Sequence, residues 1–133
     1  MSKFALDTNV LLYLYDSSAA EKRQTSELLV SSQPFISTQV ISEFINVTKR
    51  LQKITKREIL EKCNLVIASC QIISVNHKIL SDALFLLNKY ALQIFDSIIV
   101  ASSLEANCTV LYSEDLQHNQ LIEKRLTIIN PFL

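Results

Sequence analysis

The sequence predicts an α/β fold in three layers, with a central parallel sheet of four to five strands covered by helices on both faces. Short apolar runs alternate along the chain with longer segments in which apolar residues recur at helical spacing. The runs are apolar throughout, as is typical of parallel strands that are buried on both faces. Alternation of such strands with helices indicates parallel strands joined by helical crossovers.

The elements follow one another without an internal repeat or a linker. Strands are predicted at 4–6, 35–37, 71–75, 108–112 and 126–129. Helices are predicted at about 9–15, 19–31 and 76–90. Three more are predicted to begin near Thr38, at Thr55 and at Asp96. Pro34 ends the second helical pattern, and Thr55 with Glu58 three residues later forms a capping box.

Length and composition limit the classes of protein. A chain of 133 residues suits a single domain, residues 1–133, and 49% hydrophobic residues suffice for a core. The net charge of zero argues against a strongly basic nucleic-acid clamp. The absence of glycine excludes the glycine-rich loops that bind dinucleotides or nucleoside triphosphates. We expect any left-handed turn to use Asn or Asp instead.

Three cysteines, Cys63, Cys70 and Cys108, lie among apolar neighbours without close pairing, which indicates buried free thiols. Free thiols fit a reducing compartment. The first residues lack the apolar stretch of a signal peptide, and no apolar run is long enough to span a membrane. The sequence therefore predicts a cytoplasmic protein without a membrane partner.

Four acidic residues lie where the predicted fold places ligands. Asp7 ends the first strand, and Asp115 lies three residues beyond the fourth. Glu43 lies in the helix after the second strand, and Asp96 opens the apolar helix that leads to the fourth. Because open α/β sheets bind ligands beyond the carboxyl ends of their strands, we expect the four acids to converge on one edge.

Each acid also has a simpler interpretation. Asp7 and Asp96 are both suited to capping a helix, Glu43 to facing solvent, and Asp115 to forming a turn. Converging carboxylates repel one another, however, and a hard divalent cation such as Mg²⁺ or Mn²⁺ relieves that repulsion. No Cys/His cluster favours zinc, since His77 and His118 stand far apart without a motif.

Four sequence blocks around these acids carry a family resemblance. They are 4–9 (FALDTN), 37–44 (STQVISEF), 95–101 (FDSIIVA) and 111–116 (LYSEDL). In this order they resemble the blocks of the PIN-domain nucleases, particularly the VapC-type toxins of toxin–antitoxin pairs. Asn119 stands where such toxins often have glycine, and we expect it to make the same left-handed bend.

The resemblance implies a PIN-like fold that cleaves single-stranded RNA with Mg²⁺ or Mn²⁺. Asp7, Glu43, Asp96 and Asp115 would then hold one or two ions, with Asn9 and Ser113 orienting them through hydrogen bonds. The reaction would be phosphodiester hydrolysis by a metal-activated water, with Glu43 or Asp96 as proton acceptor. The resemblance also implies a homodimer and an antitoxin that blocks the site.

Two further surfaces have alternative interpretations. The basic residues Lys49, Arg50, Lys53, Lys56 and Arg57 either track an RNA backbone or form a solvated helix end. The apolar segment 11–15 either forms a groove for an antitoxin or second protomer, or packs in the core.

Two rival functional classes stay open. One is a non-catalytic α/β nucleic-acid- or protein-binding module with a degenerate acidic site. The other is a phosphoaspartate enzyme or receiver domain, which Asn9 argues against because it stands where the phosphatases carry a second acid.

Overall fold

The computed structural model describes residues 2–52 and 54–133, and it contains a six-stranded sheet flanked by helices. The strands are β1 (Phe4–Leu6), β2 (Phe35–Ser37), β3 (Gln71–Ile73), β4 (Val110–Tyr112), β5 (Leu121–Ile122) and β6 (Leu126–Ile129). The helices are α1 (Thr8–Leu12), α2 (Ala20–Ser31), α3 (Thr38–Gln52), α4 (Lys56–Ser69), α5 (His77–Tyr90) and α6 (Ile94–Glu105). A 3₁₀ turn, Tyr13–Tyr15, follows α1 directly. The predicted α/β fold class is confirmed.

The sheet brings the ends of distant chain segments together. Its strand order is β3-β2-β1-β4-β6-β5, and every neighbouring pair is parallel except β5 with β6. Leu6 of β1 pairs in register with Tyr112 of β4, so the next residues, Asp7 and Ser113, leave the sheet side by side. The Asp7 backbone amide donates to the Tyr112 carbonyl at 2.9 Å and continues the ladder by one bond.

Helix caps set where the helices begin. The Ser37 hydroxyl accepts from the Val40 amide at 3.1 Å and starts α3 at the end of β2. The Thr55 hydroxyl accepts from the Glu58 amide at 3.2 Å and donates to Glu58 Oε1 at 3.1 Å, so Thr55 caps α4 as the sequence pattern predicted. The Asn76 side chain accepts from the Ile79 amide at the start of α5. Polar residues therefore begin α3 after β2, α4 after α3 and α5 after β3.

Several elements differ from the prediction. The strand β3 ends at Ile73 and β4 begins at Val110, each two residues inside the predicted run, and the first helix gives way to a 3₁₀ turn after Leu12. The strand β5 is not among the predicted four to five, because two residues in an antiparallel pair leave no periodic signal. The helix α6 begins at Ile94, and its N-cap residue is Gln93. Asp96 therefore lies in the first turn and is not the N-cap that its simpler interpretation required.

Left-handed turns depart from the expected use of Asn or Asp. Asn119 has φ 68°, as expected where the family often has glycine, and Asn107 has φ 60°. Positive φ also occurs at other residue types, namely Gln33, Ala91, Glu123 and Lys124. The expectation was therefore wrong for these four positions, where the surrounding structure imposes a conformation that side-chain chemistry does not favour.

The core lies between the sheet and the helices. The helix α6 is buried from Ser97 to Ser103, and its serines Ser102 and Ser103 donate to carbonyls of the preceding turn. Cys63 and Cys108 are buried free thiols, while Cys70 is half-buried. Within the described ranges, no single helix is long and apolar enough to span a bilayer. The helices α5 and α6 together reach that length and apolar composition, but they are bent by 115° relative to each other.

Candidate active site

Asp7 lies at the end of the central strand and uses both of its carboxylate oxygens. Its Oδ1 accepts from the Thr8 amide at 2.7 Å and caps α1, as the simpler interpretation proposed. Its Oδ2 accepts from the Ser113 hydroxyl at 2.7 Å and from the Asn9 amide group at 3.1 Å. The side chain is buried, with 4% exposure. Asp7 is therefore a helix cap and also a member of a larger polar network.

Asn9 connects the two acids that follow neighbouring strands. Its Nδ2 lies 3.1 Å from Asp7 Oδ2 and 3.1 Å from Asp115 Oδ2, as donor to both. Its Oδ1 accepts from the Glu114 backbone amide at 3.0 Å, which fixes the orientation of the carboxamide. The expected supporting residues Asn9 and Ser113 thus contact the acids that they were predicted to orient.

Ser113 holds the loop after β4 in place. Its hydroxyl accepts from the backbone amides of Asp115 and Leu116 at 3.2 and 3.3 Å while it donates to Asp7. This serine is completely buried. A single hydroxyl therefore ties the Asp115 loop to the carboxylate at the end of β1.

Glu43 is held from two sides on α3. Thr8 Oγ1 donates to Glu43 Oε2, and Gln39 Nε2 donates to Glu43 Oε1 at 3.2 Å. Gln39 precedes Glu43 by one helical turn, so both side chains lie on the same face of α3. The Glu43 carboxylate is thereby directed toward α1 and the end of β1 instead of toward bulk solvent.

A salt-bridged clamp secures the Asp115 loop from its other side. Lys22 Nζ on α2 lies 2.7 Å from Glu114 Oε2, and the Tyr13 hydroxyl donates to Glu114 Oε1 at 2.8 Å. The Lys22 ammonium also lies over the rings of Tyr13 and Phe132, at 4.8 and 5.5 Å from their centroids. We call Tyr13, Lys22 and Glu114 the Glu114 clamp. It fixes the residue directly before Asp115.

All four predicted acids line one cleft of about 290 Å³. It is bounded by Asp7, Thr8, Asn9, Leu12, Glu43, Asn46, Val47, Asp96 and Asp115. The acids come from the end of β1, from α3, from the first turn of α6 and from the loop after β4. The geometric expectation that they converge at the carboxyl edge of the sheet therefore agrees with the structure.

Burial and mutual repulsion raise the affinity of the cleft for protons. Burial raises the pKa of Asp7 to about 6, with smaller contributions from the charges of Asp96 and Glu43, although hydrogen bonds from Ser113 and Thr8 oppose the rise. Burial also raises the pKa of Asp96, with the negative charges of Glu43 and Asp115 acting in the same direction. The acids therefore interact electrostatically through the cleft.

The cleft has no basic side chain among the residues described as lining it. None of the ion pairs within the described part of the chain includes Asp7, Glu43, Asp96 or Asp115. Their oxygen donors suit a hard divalent cation. Among the described residues, however, no three His, Cys, Asp or Glu side chains are grouped tightly enough to form a ready-made metal site. The oxygen donors of the cleft therefore fit a hard divalent cation in their chemistry.

The basic residues between 49 and 57 and the apolar segment 11–15, which each had two interpretations, are placed as follows. Lys49, Arg50, Lys56 and Arg57 are exposed at the ends of α3 and α4 and do not line it, while Lys53 lies outside the described residues. In segment 11–15, Leu11 is fully buried, and Leu12, Leu14 and Tyr15 pack against the core. Core packing accounts for most of that segment.

Sequence reasoning missed several residues that arrange the site. Thr8 and Gln39 hold Glu43, and the Glu114 clamp holds the Asp115 loop. The position of Gln39 four residues before Glu43 was a usable signal, because side chains at this spacing meet on a helix. Nothing in the sequence connected Lys22 with Glu114, which is 92 residues away.

The chain is similar to known proteins in its sequence pattern and in its fold. The PIN domain profile matches residues 4–124. No curated protein sequence matches the chain. Several solved structures share its fold at identities too low to show more than the fold.

One such structure is a toxin–antitoxin complex from Klebsiella pneumoniae, with a TM-score of 0.71 and 20% identity over 98% of both chains. Another is VapC20 from Mycobacterium tuberculosis, described as a sarcin-ricin loop cleaving toxin, with a TM-score of 0.68 and 16% identity over 85% of this chain and 90% of that one. A third is VapBC2 from Rickettsia felis bound to a promoter DNA fragment, with a TM-score of 0.62 and 21% identity over 94% and 96% of the two chains.

Proposed function

The chain belongs to the PIN-domain family, and on this basis we propose that it is a metal-dependent endoribonuclease that hydrolyses phosphodiester bonds of single-stranded RNA. The observation that carries the proposal is the cleft in which Asp7, Glu43, Asp96 and Asp115 meet without a cationic partner among the described residues. We further propose that residues 1–133 form one PIN domain, of which the profile covers 4–124.

The four acids are the proposed ligands of Mg²⁺ or Mn²⁺. A divalent cation bound there lowers the pKa of a coordinated water and offsets the negative charge of a phosphate. Asn9 and Ser113 hold Asp7 and Asp115 in a fixed relation, while Thr8 and Gln39 hold Glu43. These hydrogen bonds set the orientation of the Asp7, Asp115 and Glu43 carboxylates in the cleft.

Partners follow from the same proposal. We propose a cytoplasmic toxin that forms a homodimer and pairs with an antitoxin protein. Neighbouring folds occur in toxin–antitoxin complexes. The helices α4 and α5 also expose large apolar side chains that a partner would cover: Leu60, Leu65, Ile67, Leu80, Leu84 and Phe85.

Cleavage of a labelled single-stranded RNA tests the proposal. We expect cleavage by the wild-type chain with Mg²⁺ or Mn²⁺, and none with EDTA or in Asp96→Asn. Asp82→Asn is the matched control, because Asp82 lies on α5 in an ion pair with Lys78, away from the cleft. Loss of cleavage only in Asp96→Asn supports the proposal. RNA binding without cleavage in the wild type would instead support the non-catalytic binding module.

A further inference from the structure

A second cavity opens beside the acidic cleft. It has a volume of about 520 Å³ and shares Asp96 and Asp115 with the cleft as lining residues. The three glutamines Gln93, Gln117 and Gln120 line its other parts, together with apolar side chains that include Leu92 and Leu116. A ligand that spans both cavities would therefore pass directly over two of the four acids.

The three glutamines are free to bind a ligand. Within the described part of the chain, their side-chain carboxamides make no hydrogen bond, although other glutamines do. Gln39 donates to Glu43 and Gln71 donates to the Gln33 carbonyl. Gln93 is the N-cap residue of α6, yet its side chain does not cap the helix. Each carboxamide therefore offers unused donors and an unused acceptor.

Their placement couples them to the acids. Gln93 lies three residues before Asp96 at the start of α6, and Gln117 lies two residues after Asp115 in the loop after β4. The Gln120 backbone is tied to the Gln117 carbonyl at 3.2 Å and to the Ile128 amide at 2.9 Å. The three glutamines thus lie on the same chain segments that present Asp96 and Asp115.

We propose that this cavity is a purine-binding subsite for the nucleotide next to the cleaved phosphodiester, an inference that rests on the proposed ribonuclease function. Carboxamides carry no charge, so they attract the phosphate backbone much less than Lys or Arg would. Their donors and acceptor are suited to hydrogen bonds with base edges, which differ between bases. A carboxamide pairs with adjacent donor and acceptor atoms on a base edge. A purine presents two hydrogen-bonding edges in single-stranded RNA, whereas a pyrimidine presents one. Adenine has a donor beside an acceptor on both edges, and guanine has this pair on its Watson–Crick edge and two acceptors, N7 and O6, on the other. Leu92 and Leu116 provide apolar surface for the ring.

Binding without metal tests the subsite independently of catalysis. Hexanucleotides of A₆, (AG)₃, U₆ and C₆ are titrated in EDTA, where no cleavage is expected, and their dissociation constants are measured by fluorescence anisotropy. We expect the purine hexamers to bind at least about fivefold more tightly than the pyrimidine hexamers. The side-chain NH₂ resonances of Gln93, Gln117 and Gln120 should shift during the A₆ titration.

The variant that combines Gln93→Ala, Gln117→Ala and Gln120→Ala should bind all four hexamers equally. Gln24→Ala is the matched control, since Gln24 is an exposed glutamine on α2 away from both cavities, and it should keep the preference. The triple variant should keep the melting temperature of the wild type, because Gln93 and Gln117 are exposed and Gln120 is half-buried. This measurement verifies that the variant is folded. Equal binding by the wild type, or a preference that survives in the triple variant, would overturn the subsite.

Cleavage of a mixed-sequence RNA then separates the two proposals. Loss of the purine preference in the triple variant, with no metal-dependent cleavage by the wild type, would uphold purine binding in this cavity and refute both the nuclease and the cavity's role beside a cleaved bond. Wild-type cleavage with a base preference that the triple variant retains would uphold the nuclease and refute the subsite.

Discussion

Ser113 Oγ donates a hydrogen bond to Asp7 Oδ2 at 2.7 Å, although the two residues are 106 positions apart in the sequence. The bond forms because β1 and β4 pair in parallel and in register, so that the residues after both strands leave the sheet together. The sheet thus brings two carboxylates from distant segments, Asp7 and Asp115, to one edge. The site geometry depends on the strand register.

Ser113→Ala tests this relationship. The variant leaves the buried Asp7 carboxylate without its closest side-chain donor and frees the Asp115 and Leu116 amides. We expect a loss of about 1–3 kcal/mol in the free energy of unfolding and a roughly 10–100-fold loss of metal affinity. Urea denaturation and metal titration measure these quantities.

The control for Ser113→Ala is Ser103→Ala, because Ser103 is also buried and its hydroxyl donates to the Ile99 carbonyl within α6. It should leave metal affinity unchanged. Equal effects of the two variants on metal affinity would show that Ser113 does not orient the acids.

Two threonine-to-valine changes should have different effects: Thr8→Val should lower cleavage, and Thr48→Val should raise stability. Thr8→Val removes the hydroxyl that donates to Glu43, and we expect metal-dependent cleavage to fall roughly tenfold. Thr48 on α3 is 1% exposed, and its hydroxyl has no hydrogen-bond partner among the described residues. Thr48→Val should therefore raise the free energy of unfolding by about 1 kcal/mol without reducing cleavage.

Each threonine variant serves as the steric control for the other, since both replace a hydroxyl with a methyl group. Cleavage rates and urea denaturation are measured on both. A destabilised Thr48→Val, or full cleavage by Thr8→Val, would contradict the respective account.

The Glu114 clamp predicts an effect on activity without a large effect on stability. Lys22→Met removes the ion pair but keeps an apolar stem beside the rings of Tyr13 and Phe132. Because Lys22 is partly exposed, we expect less than about 1 kcal/mol of destabilisation. We expect a severalfold lower cleavage rate, since the Asp115 loop gains freedom.

Lys78→Met provides the comparison for the clamp, because Lys78 pairs with Asp82 and Glu105 away from the cleft. Steady-state cleavage kinetics should show a lower kcat only in Lys22→Met. An identical decrease in both variants would mean that the clamp has no specific connection with the site.

The raised pKa of Asp7 predicts how stability without metal depends on pH. The folded state holds the proton up to a pKa of about 6, whereas the unfolded chain releases it near 3.8. The folded state therefore binds more protons between these values, and its stability falls as pH rises through this window. The difference corresponds to at most about 3 kcal/mol for this group.

Asp7→Asn isolates that contribution because its side chain does not titrate. In EDTA, the free energy of unfolding of Asp7→Asn minus that of the wild type should increase by about 1–3 kcal/mol between pH 4.5 and pH 7.5, because only the wild type loses stability over this range. Urea denaturation across this range measures it, with Asp82→Asn as control. A difference that does not vary with pH would show that Asp7 titrates normally in the folded protein.

The fold was predictable because its signals are local. The runs at 4–6 and 35–37 gave strands with the observed bounds, and Thr55 marked the start of α4. The strand β5 was missed, since two residues paired with β6 leave no pattern of their own. Positive φ at Ala91 and Lys124 was missed because neither residue type favours it. Ala91 is the left-handed C-cap of α5, and Lys124 lies in the turn between β5 and β6.

The site was predictable in part for the same reason. Asp7 and Asp115 follow strands whose carboxyl ends had to meet once the sheet was parallel. The donors to Glu43 and the pairing of Lys22 with Glu114 depend on how α1, α2 and α3 pack around that edge. Packing of this kind has no signature in a single sequence.

The central claim is that the four acids of the cleft form one shared site for divalent cations. Calorimetric titration with Mn²⁺ tests it on the wild type, on Asp7→Asn, Glu43→Gln, Asp96→Asn and Asp115→Asn, and on the control Asp82→Asn. We predict that every cleft variant weakens Mn²⁺ binding by more than about tenfold, while the control binds like the wild type. Wild-type affinity in Asp96→Asn and Asp115→Asn would contradict the account.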